Sequence, residues 1–349
     1  MRAFVFALML VLPGLTVLPA ASRAQEAVAR FGEGDTPLLL RSTTDIAIIR
    51  PVIERFAQLR PELGITYEQW GSNALYARSR ADCREGGTSA DAVFSSAVQQ
   101  MVALVNAACA HSHQSPATQA LPESRRWRDE LWGVTTEPAV IVYNRRALAG
   151  GAVPRSRFAL LDAIRARPER FRGRIATYDI AASGLGYLFA YSDSLEATTF
   201  GALMESFARV DAVATCCSAE IIEGVAQGRF VVAYNVLGSY VANAARPEVG
   251  VILPEDYTLI LSRSYMIPRG ARQKAYAAEL LDFLLSAEAQ ALLSEAGLIT
   301  STDAAETALA PSVRRFIPLS PALLVALDRN RRAILLKFWA ETFREPSVP

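Results

Sequence analysis

Three short loops carry the side chains best suited to holding a ligand: Ser42-Thr43-Thr44, Ser95-Ser96 and Ser183-Gly184. Each stands directly before a helix expected from the apolar pattern. Hydroxyls together with free backbone N–H groups at a helix start favour negative charge, and the helix dipole adds to this. The same residues cap ordinary helices, so capping alone explains any single loop. Three such loops converging on one cleft point to a small anionic organic solute, such as a phosphorylated or carboxylated metabolite. Glu137, in Thr135-Thr136-Glu137-Pro138, is placed either to accept a hydrogen bond from that ligand or to pair with a nearby arginine. Pro138 beside it suits a rigid crossover. Arg263 is placed to counter an anion. Tyr234 and Asn235, at the end of an apolar run, are candidate contacts; for Tyr234 and Tyr240 packing competes with a role in stacking on the ligand or donating a phenol hydrogen bond.

Four cysteines, Cys83, Cys109, Cys216 and Cys217, can pair in three ways. A Cys83–Cys109 bridge closes a moderate loop and is the expected structural disulfide. A bond between the neighbours Cys216 and Cys217 is geometrically demanding, and their state stays open. His111 and His113 follow Cys109 at alternate positions and could share a face with it, as a metal site needs. Their place in a loop before Pro116 reads instead as a solvated turn, so neither a metal nor a cofactor is expected. The chain has no G-x-S-x-G elbow, P-loop, G-x-G-x-x-G or H-E-x-x-H. A serine–histidine triad would have to draw on that one histidine loop, and no acidic pair marks the cleft loops as a glycosidase requires. No catalytic residue is assigned, and the reading is a binder, not an enzyme.

The elements that position these loops alternate. Thr36 to Ser42 reads as a buried strand, and Ile46 to Leu59 as a helix with Ile49, Val52, Ile53 and Phe56 on one side. Ile65 to Trp70 is a strand, Leu75 to Cys83 a helix, Ala90 to Phe94 a strand and Gln99 to Ala108 a helix. Such alternation predicts an α/β fold with a largely parallel sheet, whose ligands bind outside the carboxyl ends of the strands. The pattern then restarts. Gly133 to Asn144 is a long strand, followed by a strand at 174–178, a helix opening at Ala182, a helix at 221–226 and a strand at 230–235. A strand pair at 249–253 and 257–267 leads to a long amphipathic helix over 271–295, stopped by Gly297, and a tail helix over 321–343. The sheet is built twice, the second half inserted into the first.

Length and composition bound the rest. The 349 residues suit two units of ~150; 51% are hydrophobic, 20% charged, and the net charge is +1. That mix excludes a disordered chain and argues against a nucleic-acid partner, which calls for a basic excess. Met1-Arg2, an uncharged run from Ala3 to Ala21, and Ser22-Arg23-Ala24 before Gln25 form a secretory signal peptide. A membrane anchor is the competing reading, weakened by Pro13, Gly14 and Pro19. Cleavage near Gln25 would leave the protein in an oxidising periplasm.

This order resembles the extracellular solute-binding proteins of ABC importers, and more narrowly the branch of ferric-ion binders and phosphoglycerate-transport regulatory proteins. The likeness is carried by Ser42 to Asp45, Ala90 to Ser96, Gly133 to Asn144, Gly228 to Asn235, Tyr257 to Ser262 and Leu280 to Gly297. It implies a two-lobed periplasmic binding fold, each lobe a mixed, mostly parallel sheet flanked by helices, with the ligand cleft between them. The implied division is a signal peptide at 1–24, a first part of lobe 1 at 25–137, an inserted lobe 2 at 138–252, and a second part of lobe 1 with the C-terminal helices at 253–349. It also implies a monomer that hands a small-molecule solute to an ABC permease, or alternatively partners a membrane histidine kinase as a sensor. Iron uptake is a further alternative, but the chain departs from ferric binders. Tyr234 and Tyr240 are not adjacent, and Ser95-Ser96 brings no carboxylate, whereas hard Fe(III) calls for phenolate and carboxylate oxygens.

Overall fold

The computed structural model describes residues 25–86, 89–196, 198–244, 246–300 and 310–343. The expected signal peptide, 1–24, lies outside the described residues. Among the described residues no helix is long and apolar enough to cross a membrane.

Two mixed sheets organise the chain. The first runs, in spatial order, Gln25–Phe31, Leu63–Trp70, Thr36–Ser42, Ala92–Ser95, Ser264–Pro268, Leu131–Gly133 and Arg126–Trp127, with Ala110–His111 also on Ser264–Pro268. Thr36–Ser42 is parallel to both neighbours, so the loops leaving it and Ala92–Ser95 open at the same end of the sheet. The second sheet runs Val213–Thr215, Ile175–Tyr178, Val232–Leu237, Glu137–Asn144, Thr258–Leu261 and Arg314–Phe316, with Val249–Ile252 also on Glu137–Asn144. The expected strand at 133–144 is therefore two strands, one in each sheet, and so is the expected strand at 257–267. At these crossings Val134 N donates to Arg263 O at 2.8 Å, and Arg263 N donates to Thr135 Oγ1 at 2.8 Å.

Apolar spacing builds the flanking helices. Ile46–Leu59 buries Ile46, Ile49, Val52, Ile53 and Phe56 on the first sheet, at about 2 kcal/mol per buried side chain. The helix expected over 271–295 is two helices, Lys274–Leu284 and Ala287–Glu295, because Ser286 Oγ accepts from Ala289 N and starts a second cap. Both join the first lobe, where Phe283 meets Phe56.

The expected assignment of all of 253–349 to the first lobe needs correction. Thr258–Leu261 belongs to the second sheet, and Arg314–Phe316 adds a parallel strand beside it. The helix Arg329–Thr342 also packs on the second lobe, where Phe343 meets Phe207 and Trp339 Nε1 donates to Tyr178 O at 3.1 Å. Its aromatic residues have their apolar partners there. Between them the chain touches both lobes. Ile317 N donates to Ile260 O of the second sheet, while Leu319 N donates to Ser124 O of the first lobe, both at 2.9 Å. The 3-10 turn Pro321–Leu327 then packs on the first-lobe helix Val98–Asn106, and Leu319 and Leu323 share a core cluster with Leu104 and Val105.

Cys83 and Cys109 are bonded, as expected, with Cα atoms 5.4 Å apart. The bridge ties the end of helix Ser72–Glu85 to the segment following Val98–Asn106. A closed loop of 26 residues is worth about 3–4 kcal/mol in the chain-entropy model. Cys216 and Cys217 are bonded to each other.

Candidate functional site

Between the lobes lies a cavity of about 300 Å³. Five helices present their N-terminal ends to it: Ile46–Leu59, Ser72–Glu85 and Val98–Asn106 from the first lobe, Gly184–Glu196 and Ser218–Ala226 from the second. Each N-terminus carries about half a positive charge from its aligned peptide dipoles. Hydroxyls of Thr43, Ser72, Ser96, Ser183 and Ser218 line the same space, with Gln69, Trp70, Tyr178 and Tyr240. Two carboxylates, Asp45 and Glu26, also line it, and among the described residues no arginine or lysine does.

The hydroxyl loops divide residue by residue. Thr43, Ser96 and Ser183 line the cavity, whereas Ser42, Thr44 and Ser95 are turned inward to build it. Ser42 Oγ accepts from Thr44 N at 3.0 Å, and Ser95 Oγ accepts from Ala97 N at 3.2 Å. Thr43 Oγ1 accepts from Ser96 N at 3.0 Å and lies 3.2 Å from Ser96 Oγ, tying the two first-lobe loops together. Ser183 Oγ caps its own helix through Gly186 N. Gly184 is at the seam of the closed lobes, not in the cavity wall. Its N–H donates to Ser72 Oγ at 2.8 Å and its carbonyl accepts from Gln99 Nε2 at 2.7 Å. A Cβ there would lie 2.6 Å from Gln100 Nε2, so any larger residue would have to displace the end of that side chain from the seam. Asn73 Nδ2 strengthens the seam by donating to Ala181 O and Ala182 O at 2.8 and 2.9 Å.

Glu137 lies behind the cavity, fully enclosed. It accepts from Arg263 Nε at 2.8 Å, Thr135 Oγ1 at 2.7 Å and Ser239 Oγ at 2.5 Å. Of its two expected roles, the arginine pair is the one the geometry displays. Arg263 is equally enclosed and so does not face an anion in the cavity. Its Nη1 instead donates to Thr44 Oγ1 at 3.0 Å and Thr43 O at 3.4 Å, which props the first cavity loop from behind. Burial, the largest single influence, works against its charge, but Glu137 together with Tyr240 and Tyr67 holds its pKa above the ordinary arginine value.

Tyr234 and Asn235 lie inside the second lobe, away from the cavity. Arg157 Nε donates to Tyr234 OH at 2.6 Å and to Asp193 Oδ1 at 3.0 Å, and Asn235 Nδ2 donates to Asp193 Oδ2 at 3.2 Å. The strand register shifts between Ala233 and Val236, and Asn235 sits there at φ +54°, a conformation asparagine tolerates better than most. That irregularity turns both side chains into the lobe core.

Tyr240, for which packing and ligand contact compete in the sequence, lines the cavity, as do Tyr178, Ser218, Asp45 and Trp70, which carried no expectation as ligand contacts. Tyr240 OH donates to Asp45 Oδ1 at 2.9 Å, and Tyr178 OH and Ser218 Oγ share a hydrogen bond of 2.6 Å. Burial raises the pKa of both phenols, and Asp45 adds to the rise at Tyr240 while Arg263 opposes it. Asp45 and Trp70 stand at strand ends that the apolar pattern does reveal. The helix Ser218–Ala226 begins three residues before the expected Ile221, which hid Ser218 and the adjacent cysteines as cleft residues.

Two α/β lobes, joined by crossing strands and closed on a polar cavity, define a binder of small solutes. The chain belongs to the bacterial extracellular solute-binding protein family, whose model matches residues 90–320. It is similar to the crystal structure of the substrate binding protein of an ABC transporter from Agrobacterium tumefaciens, with 30% identity and a TM-score of 0.85 over 91% of this chain and 98% of that one. It shares its fold with apo ferric ion-binding protein A of Pasteurella haemolytica, at 18% identity and TM-score 0.67, over 90% of this chain and all of that one. The fold also matches AfuA of Actinobacillus pleuropneumoniae, solved with exogenous fructose-6-phosphate, at 16% identity and TM-score 0.67, over 89% and 99% of the two chains. No curated protein sequence matches the chain.

Proposed function

We propose that the protein captures a small, hydroxyl-bearing organic anion in the interlobe cavity and presents it to an ABC permease. The observation that carries this reading is the convergence of five helix N-termini from both lobes on one cavity. Thr43, Ser96 and Ser183 would donate to the anionic group in the positive field of the five helix N-termini. Asp45 and Glu26 repel a bare anion but accept from solute hydroxyls, which favours a polyhydroxylated acid such as a sugar phosphate. The volume of about 300 Å³ matches roughly ten waters, far more than a lone ion fills. The fructose-6-phosphate bound to the Actinobacillus protein supports the same class. The Agrobacterium relative, part of an ABC transporter, favours a permease over a sensor kinase as the partner. Closure follows because the solute binds the closed form better and shifts the population toward it.

Iron is the second reading, favoured by four oxygen-bearing residues at the cavity: Glu26, Asp45, Tyr178 and Tyr240. It is the weaker one, because both phenols are already hydrogen-bonded and burial disfavours their phenolate forms. Thermal unfolding with hexose phosphates, carboxylic acids, neutral sugars and Fe(III) citrate separates these. A phosphate or carboxylate sugar at a hundredfold excess over its Kd should add about 2.7 kcal/mol of stability. Stabilisation by neutral sugars alone, or by Fe(III) alone, would overturn the anion reading.

A further inference from the structure

We infer that the Cys216–Cys217 disulfide is itself a solute contact: an apolar, polarizable wall on which the ring face of the solute packs, so that it selects a ring-bearing anion over a bare one. The inference rests on the cavity being the solute site, as proposed above.

Both cysteines line the cavity and both are exposed. Cysteine is normally among the most buried residue types, and Cys109 of the other bridge is 5% exposed. Fold stability does not account for the second bond. Its sequence separation is 1 against 26 for Cys83–Cys109, and closing so short a span removes little chain entropy, on the order of 1 kcal/mol at most. Helix capping does not account for it either. Cys217 is the N-cap of Ser218–Ala226 but makes no side-chain cap hydrogen bond, where serine, threonine or aspartate would.

The chemistry of the bond fits a wall. Joining the two thiols removes both S–H donors and leaves sulfur surface that is soft and polarizable. The polar groups around it are tied elsewhere: Thr215 Oγ1 donates to Glu220 Oε2 at 2.5 Å, and Ser218 Oγ is engaged by Tyr178 OH. The covalent link also fixes both side chains before the solute arrives, so less rotamer freedom is lost on binding. From the first lobe Trp70 lines the same cavity, its ring held by the Arg41 guanidinium 5.7 Å from the centroid and its Nε1 by Glu68 at 3.1 Å. Each lobe thus contributes one rigid, covalently or electrostatically held surface to a cavity also lined by Leu185, two alanines, hydroxyls, Gln69 and two carboxylates. A ring with C–H faces and polar edges matches that arrangement.

The test compares the wild-type protein with Cys216→Ser/Cys217→Ser, which keeps the Cys83–Cys109 bridge. Calorimetry measures the affinities of glucose 6-phosphate, glucose and inorganic phosphate. The wild type should prefer glucose 6-phosphate to inorganic phosphate by more than tenfold, and the variant should lose about tenfold of that preference. A variant that keeps the wild-type preference overturns the wall while leaving the anion reading intact. If the wild type binds none of the three probes, the anion reading fails for them, and a second measurement tests the solvent-facing position that the wall requires. Ligand-free protein is treated with graded tris(2-carboxyethyl)phosphine, which becomes the phosphine oxide as each disulfide takes two electrons and two protons, and then with iodoacetamide. Peptide mapping should find Cys216 and Cys217 alkylated at lower phosphine than Cys83 and Cys109. Alkylation of the two pairs at the same phosphine concentration overturns the inference without reference to any ligand.

Discussion

Arg157 and Arg263 are both wholly enclosed and both meet a carboxylate, but they serve different ends. Arg157 holds Asp193, Asp256, Tyr234 and the Tyr257 carbonyl, all within the second lobe. Arg263 holds Glu137 where the chain crosses between lobes, and its far side reaches Thr44 and the Thr43 carbonyl at the cavity loop. Through Glu137 the network continues to Ser239, next to Tyr240 in the cavity wall. Burial and charge pairing therefore do not by themselves mark a ligand site. What distinguishes the two clusters is where the outermost hydrogen bond ends.

The largest test of this contrast is Arg157→Met, which strands Asp193 in the lobe core. Removing one partner of a buried pair destabilises by about 3–5 kcal/mol. Urea unfolding should show that loss, while solute affinity measured on the folded fraction should stay within twofold. Glu137→Gln should lose about 3 kcal/mol and, unlike the first variant, weaken solute binding about tenfold by loosening the Thr43-Thr44 prop. Equal binding losses in the two variants would erase the distinction. A smaller pair sharpens it. Tyr234→Phe should lower stability by about 1 kcal/mol with affinity intact, whereas Thr43→Val should weaken binding by a similar amount with little loss of stability.

The mildest expected effect is on alkaline stability. Burial pushes Tyr234 and Tyr257 in one cluster, and Tyr240 beside the other, above the usual phenol range. Tyr187 is pushed up to about 12, again by burial. In the unfolded chain these groups ionise near pH 10, before they do so in the folded protein. The unfolded state then binds fewer protons, and stability, full below pH 10, should decline as pH rises through the folded values. Urea midpoints between pH 8 and 11 measure this. A midpoint that rises across that interval would contradict the burial of these phenols.

How much of this was legible in the sequence varies with the physics. Thr36–Ser42 and Ile46–Leu59 lie where the apolar pattern puts them, because one buried face dictates each. The Cys83–Cys109 bond follows from two cysteines flanking one strand. Within the hydroxyl loops the sequence marks the right loops but not the right members. Thr43 faces the cavity between two inward neighbours, and Ser96 faces it beside an inward Ser95, an alternation expected of extended backbone. Tyr234 and Asn235 were not separable from cavity residues, since the register irregularity that turns them inward has no signature in residue type. The break at Ser286, and that at Asp328, whose carboxylate accepts from Asn330 N and Arg331 N to start Arg329–Thr342, leave no mark in the apolar spacing, which runs on across a cap. The tail was misplaced because helical amphipathicity says which face is buried, not which lobe covers it.

The chain near Leu319 has a kinetic meaning. A rotation that parts helix Val98–Asn106 from the second lobe must also pull on a segment fastened to Ile260 on one side and Ser124 on the other. Uncovering Leu319 and Leu323 together would demand about 3 kcal/mol or more. As part of the barrier to opening, an energy of that size would slow solute exit roughly a hundredfold. Solute entry and exit would then be clocked by two leucines far along the chain from any residue that touches the solute, so the tail sets residence time while the cavity sets identity.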